Sequence, residues 1–310
     1  MDWRIKGTIQ KVLGWVPGGD RIHHILQRRV GGLTNFGREC DIKVDDWRLM
    51  MGHLKTVRAR IDGGTLLEMG TGWYPTFPLC LYLSGAGRVY TVDLNRLLRR
   101  DMTIALADRL ANHVALIAEV SGKPEAEVAA RQKAVAEALR GGASIGEATD
   151  GVIDYRAPAD AARTELPAST IDALFSNSVL EHVPREVIDA CFREAMRILR
   201  PGGVVFHSVN CGDHYAYFDR SIDQLHYLQY SEAAWKKWNN AFLYQNRLRA
   251  IDLTAMAKYH GFAIEIDTSR PNPDRLRQLD AIRVDPHFAH YSRDQLAITS
   301  IDFVGRKPLG

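Results

Sequence analysis

The chain has 310 residues, and its 40 Lys and Arg residues nearly balance its 37 Asp and Glu residues, which gives a formal net charge of +3. Hydrophobic residues make up 46% and charged residues 25%, which is typical of a globular protein and excludes a disordered, collagen-like or coiled-coil chain. Because the basic residues are scattered among acids, we expect no nucleic-acid partner. The length allows one elaborated α/β domain or two domains, and we expect the first.

The spacing of the cysteines and the lack of long apolar runs indicate the cellular compartment of the protein. Cys40, Cys80, Cys191 and Cys211 are widely separated, without the spacing of a structural zinc site. No apolar run approaches the roughly 18 residues that span a bilayer, and the N-terminus lacks the layout of a secretory signal. We therefore expect a cytoplasmic protein without integral membrane association. The sequence does not indicate its oligomeric state.

Residues 1–60 are predicted to form a helical extension ahead of a main domain at 61–310. The extension begins with an apolar stripe at helical spacing: Ile5, Ile9, Val12, Leu13 and Val16. Such an amphipathic helix either packs on the body of its own protein or lies on a membrane surface. We expect the first alternative.

The main domain begins with a strand, a glycine turn, a helix and a second strand. Thr65 to Met69 has the pattern of a buried strand, and Gly70-Thr71-Gly72 that of a tight turn. A helix is predicted from Pro75 to Leu83, and a second strand from Arg88 to Asp93. This order is that of a βαβ unit in a parallel sheet.

Residues 96–150 contain two further helical segments, one more than a crossover between parallel strands requires. The surplus segment predicts either extra packing or a cap over a pocket, and the sequence leaves both open. Five more strands are predicted at 151–155, 171–176, 204–209, 262–267 and 297–304, and two more helices at 186–199 and 249–260. The fold class is therefore α/β, a Rossmann-like doubly wound sheet of seven strands with a helical N-terminal extension and a helical insert.

The glycine turn and the acid after the second strand indicate a nucleotide-type ligand. Glycines allow a ligand to approach the backbone closely, and Asp93 is placed to accept hydrogen bonds from ribose hydroxyls. Pro75 occupies the position of the third glycine in the GxGxxG pattern of dinucleotide sites, so the sequence departs from that pattern. Glu68 adds negative charge, which suits a cationic ligand such as S-adenosylmethionine better than a pyrophosphate. An NAD-dependent oxidoreductase remains an alternative, as does a turn that binds nothing.

The segments LLEMGTGWYP, VYTVDLN and IDALFSNSVLEHVPREVIDACFREAMRILRPGG resemble the successive motifs of class I S-adenosylmethionine-dependent methyltransferases. The resemblance covers residues 64 to about 210. Beyond it, HSVNCGDHYAYFDRSIDQLHYLQYSE and YQNRLRAIDLTAMAKYHGF resemble a bacterial branch of these enzymes that tailors small molecules or surface saccharides.

The resemblance implies S-adenosylmethionine as the cofactor and places the methionine part against Glu68, Gly70 and Gly72. It implies that Asp93 binds the ribose and that Asp160, with Ala161, faces the adenine; a solvated loop acid is the alternative for Asp160. The end of the fourth strand borders the transferred methyl. The expected cofactor-binding residues are Glu68, Gly70, Thr71, Gly72, Trp73, Asp93, Leu94, Asp160, Ala161, Ser176 and Asn177.

Methyl transfer to an oxygen or a nitrogen needs alignment of the acceptor and, for a hydroxyl or a protonated amine, a base. The candidates for this base are His182, His207, Asp213 and His214. His214 is the favoured base, with the carboxylate of Asp213 or Asp219 expected to orient its ring. A loop held by local side-chain hydrogen bonds is the alternative for Asp213 and His214. His182, in the LEHV motif, is either a second base candidate or a wall of the pocket. The remaining candidate, His207, is expected to form a hydrogen bond within the sheet.

The segment 215–244 is rich in aromatic residues, which suits a sugar or a planar acceptor. Tyr215, Tyr217 and Arg247 are the expected acceptor-binding residues, and core packing is the alternative for most of these rings. Asp213, His214, His207 and His182 offer mixed metal ligands, but we expect no metal. The predicted function is methyl transfer to a small molecule, possible acceptors being a sugar or a natural product. A non-catalytic partner protein that binds the cofactor is a third hypothesis.

Overall fold

The structure is a computed structural model that describes residues 2–4, 7, 8, 35–239 and 244–309. All five residues of the predicted apolar stripe near the N-terminus lie outside these residues. The strands are β1 (Thr65–Met69), β2 (Arg88–Val92), β3 (Ile153–Arg156), β4 (Ile171–Asn177), β5 (Leu199–Asn210), β6 (Ala263–Asp267) and β7 (Ser300–Arg306).

Residues 3, 4, 7 and 8 are helical, and eleven further α-helices lie wholly within the described residues. They are α1 (Phe36–Thr56), α2 (Thr76–Leu83), α3 (Arg100–Arg109), α4 (Val114–Ser121), α5 (Glu125–Arg140), α6 (Ile145–Ala148), α7 (Arg185–Ile198), α8 (Glu232–Trp235), α9 (Ala250–Tyr259), α10 (Pro273–Ala281) and α11 (Arg293–Leu296). Short 3₁₀ helices occur at Leu110–His113, Leu180–His182, His214–Tyr217, His226–Gln229 and Pro286–Phe288. Among the described helices, none is long and apolar enough to cross a membrane.

The strands form one sheet in the order β3-β2-β1-β4-β5-β7-β6. The pairings among β1 to β5 are parallel, whereas β7 runs antiparallel to both β5 and β6. The fold is therefore the predicted seven-stranded Rossmann-like sheet. The carboxyl ends of β1, β2 and β4 meet at one edge, the usual position of a ligand in an open α/β sheet.

Strand β5 begins earlier than predicted. The Pro201-Gly202-Gly203 segment ends the preceding helix as expected, but it also lies inside the strand. Leu199 pairs with Ile171 of β4, and the Gly202 N–H donates to the carbonyl of Lys307 at 3.0 Å. Pairing with both neighbours therefore extends the strand through residues whose local preference is for a turn.

The amphipathic character of α7 fixes its position on the sheet. Ile188, Phe192, Ala195 and Ile198 are buried at spacings of three or four residues, which places one face of the helix against the sheet. Helix α1, part of the predicted extension, packs on the opposite side with Val44, Trp47, Met50 and Leu54 buried. Both faces of the sheet are thus covered.

The insert at 96–150 mainly adds to the hydrophobic core. Its buried side chains join the cluster that includes α1 and α2: Leu106, Leu110, Ile117, Val128, Val135 and Leu139. Leu97 is the one residue of this fully described insert that lines the cavity at the carboxyl ends of β1, β2 and β4. The structure therefore favours packing over a cap for most of the insert.

Candidate functional site

A cavity of about 650 Å³ opens at the carboxyl ends of β1, β2 and β4, within the range of small-molecule sites. Ten of the eleven expected cofactor residues line it: Glu68, Gly70, Thr71, Gly72, Trp73, Asp93, Leu94, Asp160, Ala161 and Asn177. Sequence motifs that are up to 109 residues apart thus converge on one space, because parallel strands bring their carboxyl ends to the same edge.

Glu68 places a buried carboxyl group on the wall of this cavity. Its side chain accepts a hydrogen bond from the Thr91 hydroxyl, and the Thr91 hydroxyl also lies 2.5 Å from that of Thr71. Burial, followed by repulsion from Asp93, raises the pKa of Glu68 to about 8. A cation in the cavity would favour the ionised form of this carboxyl group.

The glycine turn is fixed by its backbone conformation and by Asp93. Gly70 and Gly72 have φ angles of 88° and 68°, a region that residues with a Cβ rarely adopt. A Cβ on Gly70 would lie 2.5 Å from a methyl carbon of Val179, which also lines the cavity. The Asp93 carboxylate accepts from the Gly72 N–H at 3.0 Å, joining the ends of β1 and β2. The cradle is therefore preformed, and at Gly70 it leaves no room for a side chain.

Asp160 lies in the loop between β3 and β4 and is exposed on the cavity rim. One carboxylate oxygen accepts from the Ala162 N–H at 2.8 Å, and Ala161 lies beside it on the cavity wall. Asp160 and Ala161 therefore lie on the same cavity as the glycine turn and Asp93.

The expectation that Ser176 borders the cofactor is wrong. Its side chain is fully buried, and its hydroxyl lies 2.7 Å from Nδ1 of His207 on β5. Because side chains alternate across a strand, Asn177 reaches the cavity while Ser176 points beneath it. His207 forms the hydrogen bond within the sheet that we predicted, and burial lowers its pKa to about 3.

Helix α1 contributes two cavity residues that the sequence analysis missed. Glu39 and Lys43 lie one helical turn apart and both line the cavity. The Lys43 ammonium donates to the Asn177 side-chain oxygen at 2.5 Å and to Asp46 at 3.3 Å. The (i, i+4) spacing of Glu39 and Lys43 indicates a charged pair on one helix face. It does not indicate the contact of Lys43 with Asn177 of β4, which is 134 residues away in the chain.

His182 and His214 come together beside the cavity. Their ring centroids are 4.9 Å apart in an edge-on arrangement, and His182 itself lines the cavity. The pKa of His182 is lowered by desolvation, so its ring is neutral near pH 7. Glu181 lies next to the pair, and the ligand atoms of the three side chains lie within 4.8 Å of one another.

The prediction that Asp213 or Asp219 orients His214 does not agree with the structure. Asp213 is fully buried and accepts from Nδ1 of His226 at 2.9 Å and from the Tyr215 N–H at 2.9 Å. Asp219 accepts from the Trp3 N–H and from Ser221. Both carboxylates therefore stabilise the loop after β5.

Two of the three expected acceptor-binding residues are structural. The ring of Tyr215 is buried, and its hydroxyl donates to the Trp238 carbonyl at 2.9 Å. Arg247 is buried, donates to Tyr227 and Tyr230 carbonyls and pairs with Glu232. Its guanidinium also lies over Trp235 and Phe288. Tyr227 and Trp235 are buried in the same hydrophobic cluster as Tyr215, so this aromatic segment belongs mainly to the core.

Tyr217 alone of the three remains accessible. Its side chain is 57% exposed, and its ring centroid lies 5.6 Å from that of His214. Its hydroxyl accepts a hydrogen bond from Asn210 at the end of β5. Tyr217 is therefore the one expected acceptor contact that the structure places next to the histidine pair.

The segment Tyr244-Gln245-Asn246 holds the two histidine loops in position. The carbonyl of Tyr244 accepts from Nδ1 of His182 at 2.8 Å, and the side-chain oxygen of Gln245 accepts from the His214 N–H at 3.0 Å. The Asn246 amide group donates to the carbonyls of Leu180 and Val183 at 2.7 and 2.8 Å. We call residues 244–246 the strap.

Comparison with known proteins gives one family and many weakly similar folds. Residues 102–207, about a third of the chain, match the family described as a methyltransferase domain. No curated protein matches the chain. This family match and the Rossmann-like sheet with its cavity support an assignment to the class I S-adenosylmethionine-dependent methyltransferases. They also support S-adenosylmethionine as the cofactor.

Three solved structures illustrate the similarity. An S-adenosylmethionine-dependent methyltransferase from Mesorhizobium loti is 16% identical, covers 83% of this chain and 96% of its own, and has a TM-score of 0.40. Geranyl diphosphate C-methyltransferase from Streptomyces coelicolor is 14% identical, covers 84% of this chain and 80% of its own, and has a TM-score of 0.46. Phosphoethanolamine N-methyltransferase 2 from Haemonchus contortus is 17% identical, covers 85% of this chain and 52% of its own, and has a TM-score of 0.43. Likenesses of this strength do not identify the acceptor.

Proposed function

We propose that the protein transfers a methyl group from S-adenosylmethionine to an oxygen or nitrogen atom of a small-molecule acceptor. The observation that carries this proposal is the convergence of Glu68, the Gly70–Gly72 turn, Asp93, Asp160 and Asn177 on one cavity. The preformed glycine cradle fits the close approach of a ligand, and the buried carboxyl of Glu68 fits a cationic one. S-adenosylmethionine supplies a methyl group on a sulfonium centre, so the chain itself needs to bind, align and exclude water.

The histidine pair supports the choice of acceptor atom. His182 lines the cavity and is neutral near pH 7, so it is able to accept a proton from a hydroxyl or an ammonium group. His214 lies against it, and Tyr217 lies next to His214. We propose that this pair receives the proton of the acceptor, with Tyr217 as a contact for the acceptor itself.

Calorimetry with S-adenosylhomocysteine tests the cofactor half of the proposal. We expect one equivalent to bind, whereas NAD should leave the melting temperature unchanged. No binding at millimolar S-adenosylhomocysteine would overturn the proposal, and a melting shift with NAD alone would favour an oxidoreductase instead.

A panel of sugar, phenol and amine acceptors tests the catalytic half. Transfer of labelled methyl to any of them, abolished in Gly70→Val, supports an enzyme. Binding of S-adenosylhomocysteine without transfer to any acceptor in a broad panel would favour the non-catalytic partner protein.

A further inference from the structure

Glu181, His182 and His214 form a compact group of one carboxylate and two imidazoles at the end of β4 and in the loop after β5. Their ligand atoms lie within 4.8 Å of one another. An ion at the usual 2.0 to 2.2 Å from each ligand atom requires separations of roughly 3 to 4 Å, so small side-chain rotations suffice. We call these three residues the Glu181 cluster.

One oxygen of Glu181 lacks a hydrogen-bond partner within the described residues. The side chain is 2% exposed; Oε1 accepts a long bond from the Asn210 N–H at 3.4 Å, whereas the buried Oε2 accepts none. A buried acceptor without a partner costs about 1 to 3 kcal/mol, and more if it is charged. Lys43 acts on this carboxyl electrostatically, but its hydrogen bonds go to Asn177 and Asp46. A cation bound at Oε2 would remove this cost.

The tautomer of His182 leaves a nitrogen available for a metal. A carbonyl oxygen only accepts, so the 2.8 Å contact with Tyr244 requires Nδ1 of His182 to carry the hydrogen. The lone pair is therefore on Nε2. A histidine that donates its other ring N–H to a backbone carbonyl is the arrangement typical of metal ligands, because it fixes both the tautomer and the ring orientation.

The strap fixes all three members of the Glu181 cluster. Besides its bond to His182, it binds the His214 N–H through Gln245, and the Asn246 N–H donates to the Glu181 carbonyl at 2.9 Å. Gln245 is itself held by the Gly212 carbonyl at 2.5 Å. The cluster therefore sits on a hydrogen-bonded frame, as a preorganised ligand set requires.

We propose that Glu181, His182 and His214 bind a divalent transition-metal ion next to the cavity. Two imidazoles and one carboxylate suit Zn²⁺, Fe²⁺, Co²⁺ or Ni²⁺ rather than Mg²⁺ or Ca²⁺, which prefer oxygen ligands. This revises our expectation that no metal is bound. It also deepens the proposed function, on which the next step rests: the ion would bind an acceptor oxygen and lower the pKa of its hydroxyl. The hydroxyl proton would pass to solvent water, the oxygen would bond to the methyl carbon, and the bond from that carbon to the sulfonium sulfur would break to leave S-adenosylhomocysteine. With the ion bound, the two histidines would act as ligands, and without it they remain the proposed base.

Metal binding by the full-length protein tests the proposal without any assay of activity. The purified chain is treated with a chelator, and Co²⁺ or Zn²⁺ is titrated by calorimetry and, for Co²⁺, by visible absorption. We expect one equivalent to bind and to raise the melting temperature. Glu181→Gln, His182→Gln and His214→Gln should each weaken binding at least about tenfold, whereas His290→Gln, at an exposed histidine, should bind as the wild type does.

Circular dichroism separates lost ligands from lost folding. His182 is the exposed member of the cluster, so its variant keeps the test decisive if the buried Glu181 variant does not fold. Binding below one equivalent in the wild type, or equal affinity in the wild type and in all cluster variants that fold, would overturn the proposal. Metal binding without binding of S-adenosylhomocysteine would overturn the methyltransferase function and leave the metal site standing.

Discussion

Nδ1 of His182 donates a hydrogen bond to the backbone carbonyl of Tyr244 at 2.8 Å, across 62 residues of the chain. This contact joins the LEHV turn after β4 to the strap that precedes α9. It determines which nitrogen of His182 carries the proton, and the His182 side chain lies beside Glu181 and His214. The orientation of the candidate catalytic side chain therefore depends on a segment outside the nucleotide-binding half of the fold.

Asn246→Ala should destabilise the protein by about 1 to 3 kcal/mol, because it leaves the carbonyls of Leu180 and Val183 without their hydrogen-bond donor. Urea denaturation measures the change. The exposed Asn95→Ala serves as the control and should change the free energy of unfolding little. Equal stabilities of the two variants would show that the strap does not hold the LEHV turn.

Gly70→Ala should weaken binding of S-adenosylhomocysteine at least about tenfold, or about 1.4 kcal/mol. The added Cβ would collide with Val179 at 2.5 Å, at a φ of 88°. Gly122→Ala is the matched control, because Gly122 also has a positive φ, at the end of α4, with no atom within 4 Å of an added Cβ. Calorimetry on both variants separates the collision from backbone strain, and equal affinities would contradict the preformed cradle.

Glu68→Gln should flatten the dependence of stability on pH. Burial raises the pKa of Glu68 from 4.5 to about 8 in the folded state. The stabilisation from the protonated carboxyl is therefore fully present below the unfolded pKa and is lost as the pH rises through about 8. Unfolding at a series of pH values should show a smaller decline in the variant than in the wild type.

The exposed Glu119→Gln provides the control for that series and should follow the wild type. Parallel pH profiles for the wild type and Glu68→Gln would mean that Glu68 is ionised in the folded protein at neutral pH.

Arg249→Met should lower the free energy of unfolding by about 3 kcal/mol or more, since it removes several buried hydrogen bonds at once. The fully buried guanidinium donates to the carbonyls of Cys211, Leu296 and Ile298 and to the Tyr227 hydroxyl. Thermal unfolding tests this against Arg283→Met, at an exposed position. A drop of similar size in both variants would show that the buried hydrogen bonds of Arg249 contribute nothing specific.

The β-strands were predictable because a buried parallel strand has a continuous apolar sequence that turn residues bound. Ala173 to Phe175 is an example, since all three residues are apolar and buried. The glycine turn and Asp93 were predictable because the chemistry of a nucleotide site requires them next to two adjacent strands. These signals are local, and the sheet topology brings them together.

The residues that the sequence misassigned depend on contacts that are distant in the chain. Arg247 and Tyr215 have side chains suited to a ligand, but buried carbonyls use their hydrogen-bonding capacity. Nothing in the local sequence distinguishes such an arginine from one that binds an anion. Likewise, the contact of Lys43 with Asn177 depends on how α1 packs, which hydrophobic periodicity alone does not determine.

The two ends of the cavity are supported by different stretches of chain. Its glycine turn and acids come from residues 68–161, whereas His214 and the strap follow the end of the family match at residue 207. Substitutions after residue 207 are therefore able to alter what stands next to His182 while the cradle stays intact. Such a division would let related chains acquire new acceptors by changing one stretch of sequence and keep a common methyl donor.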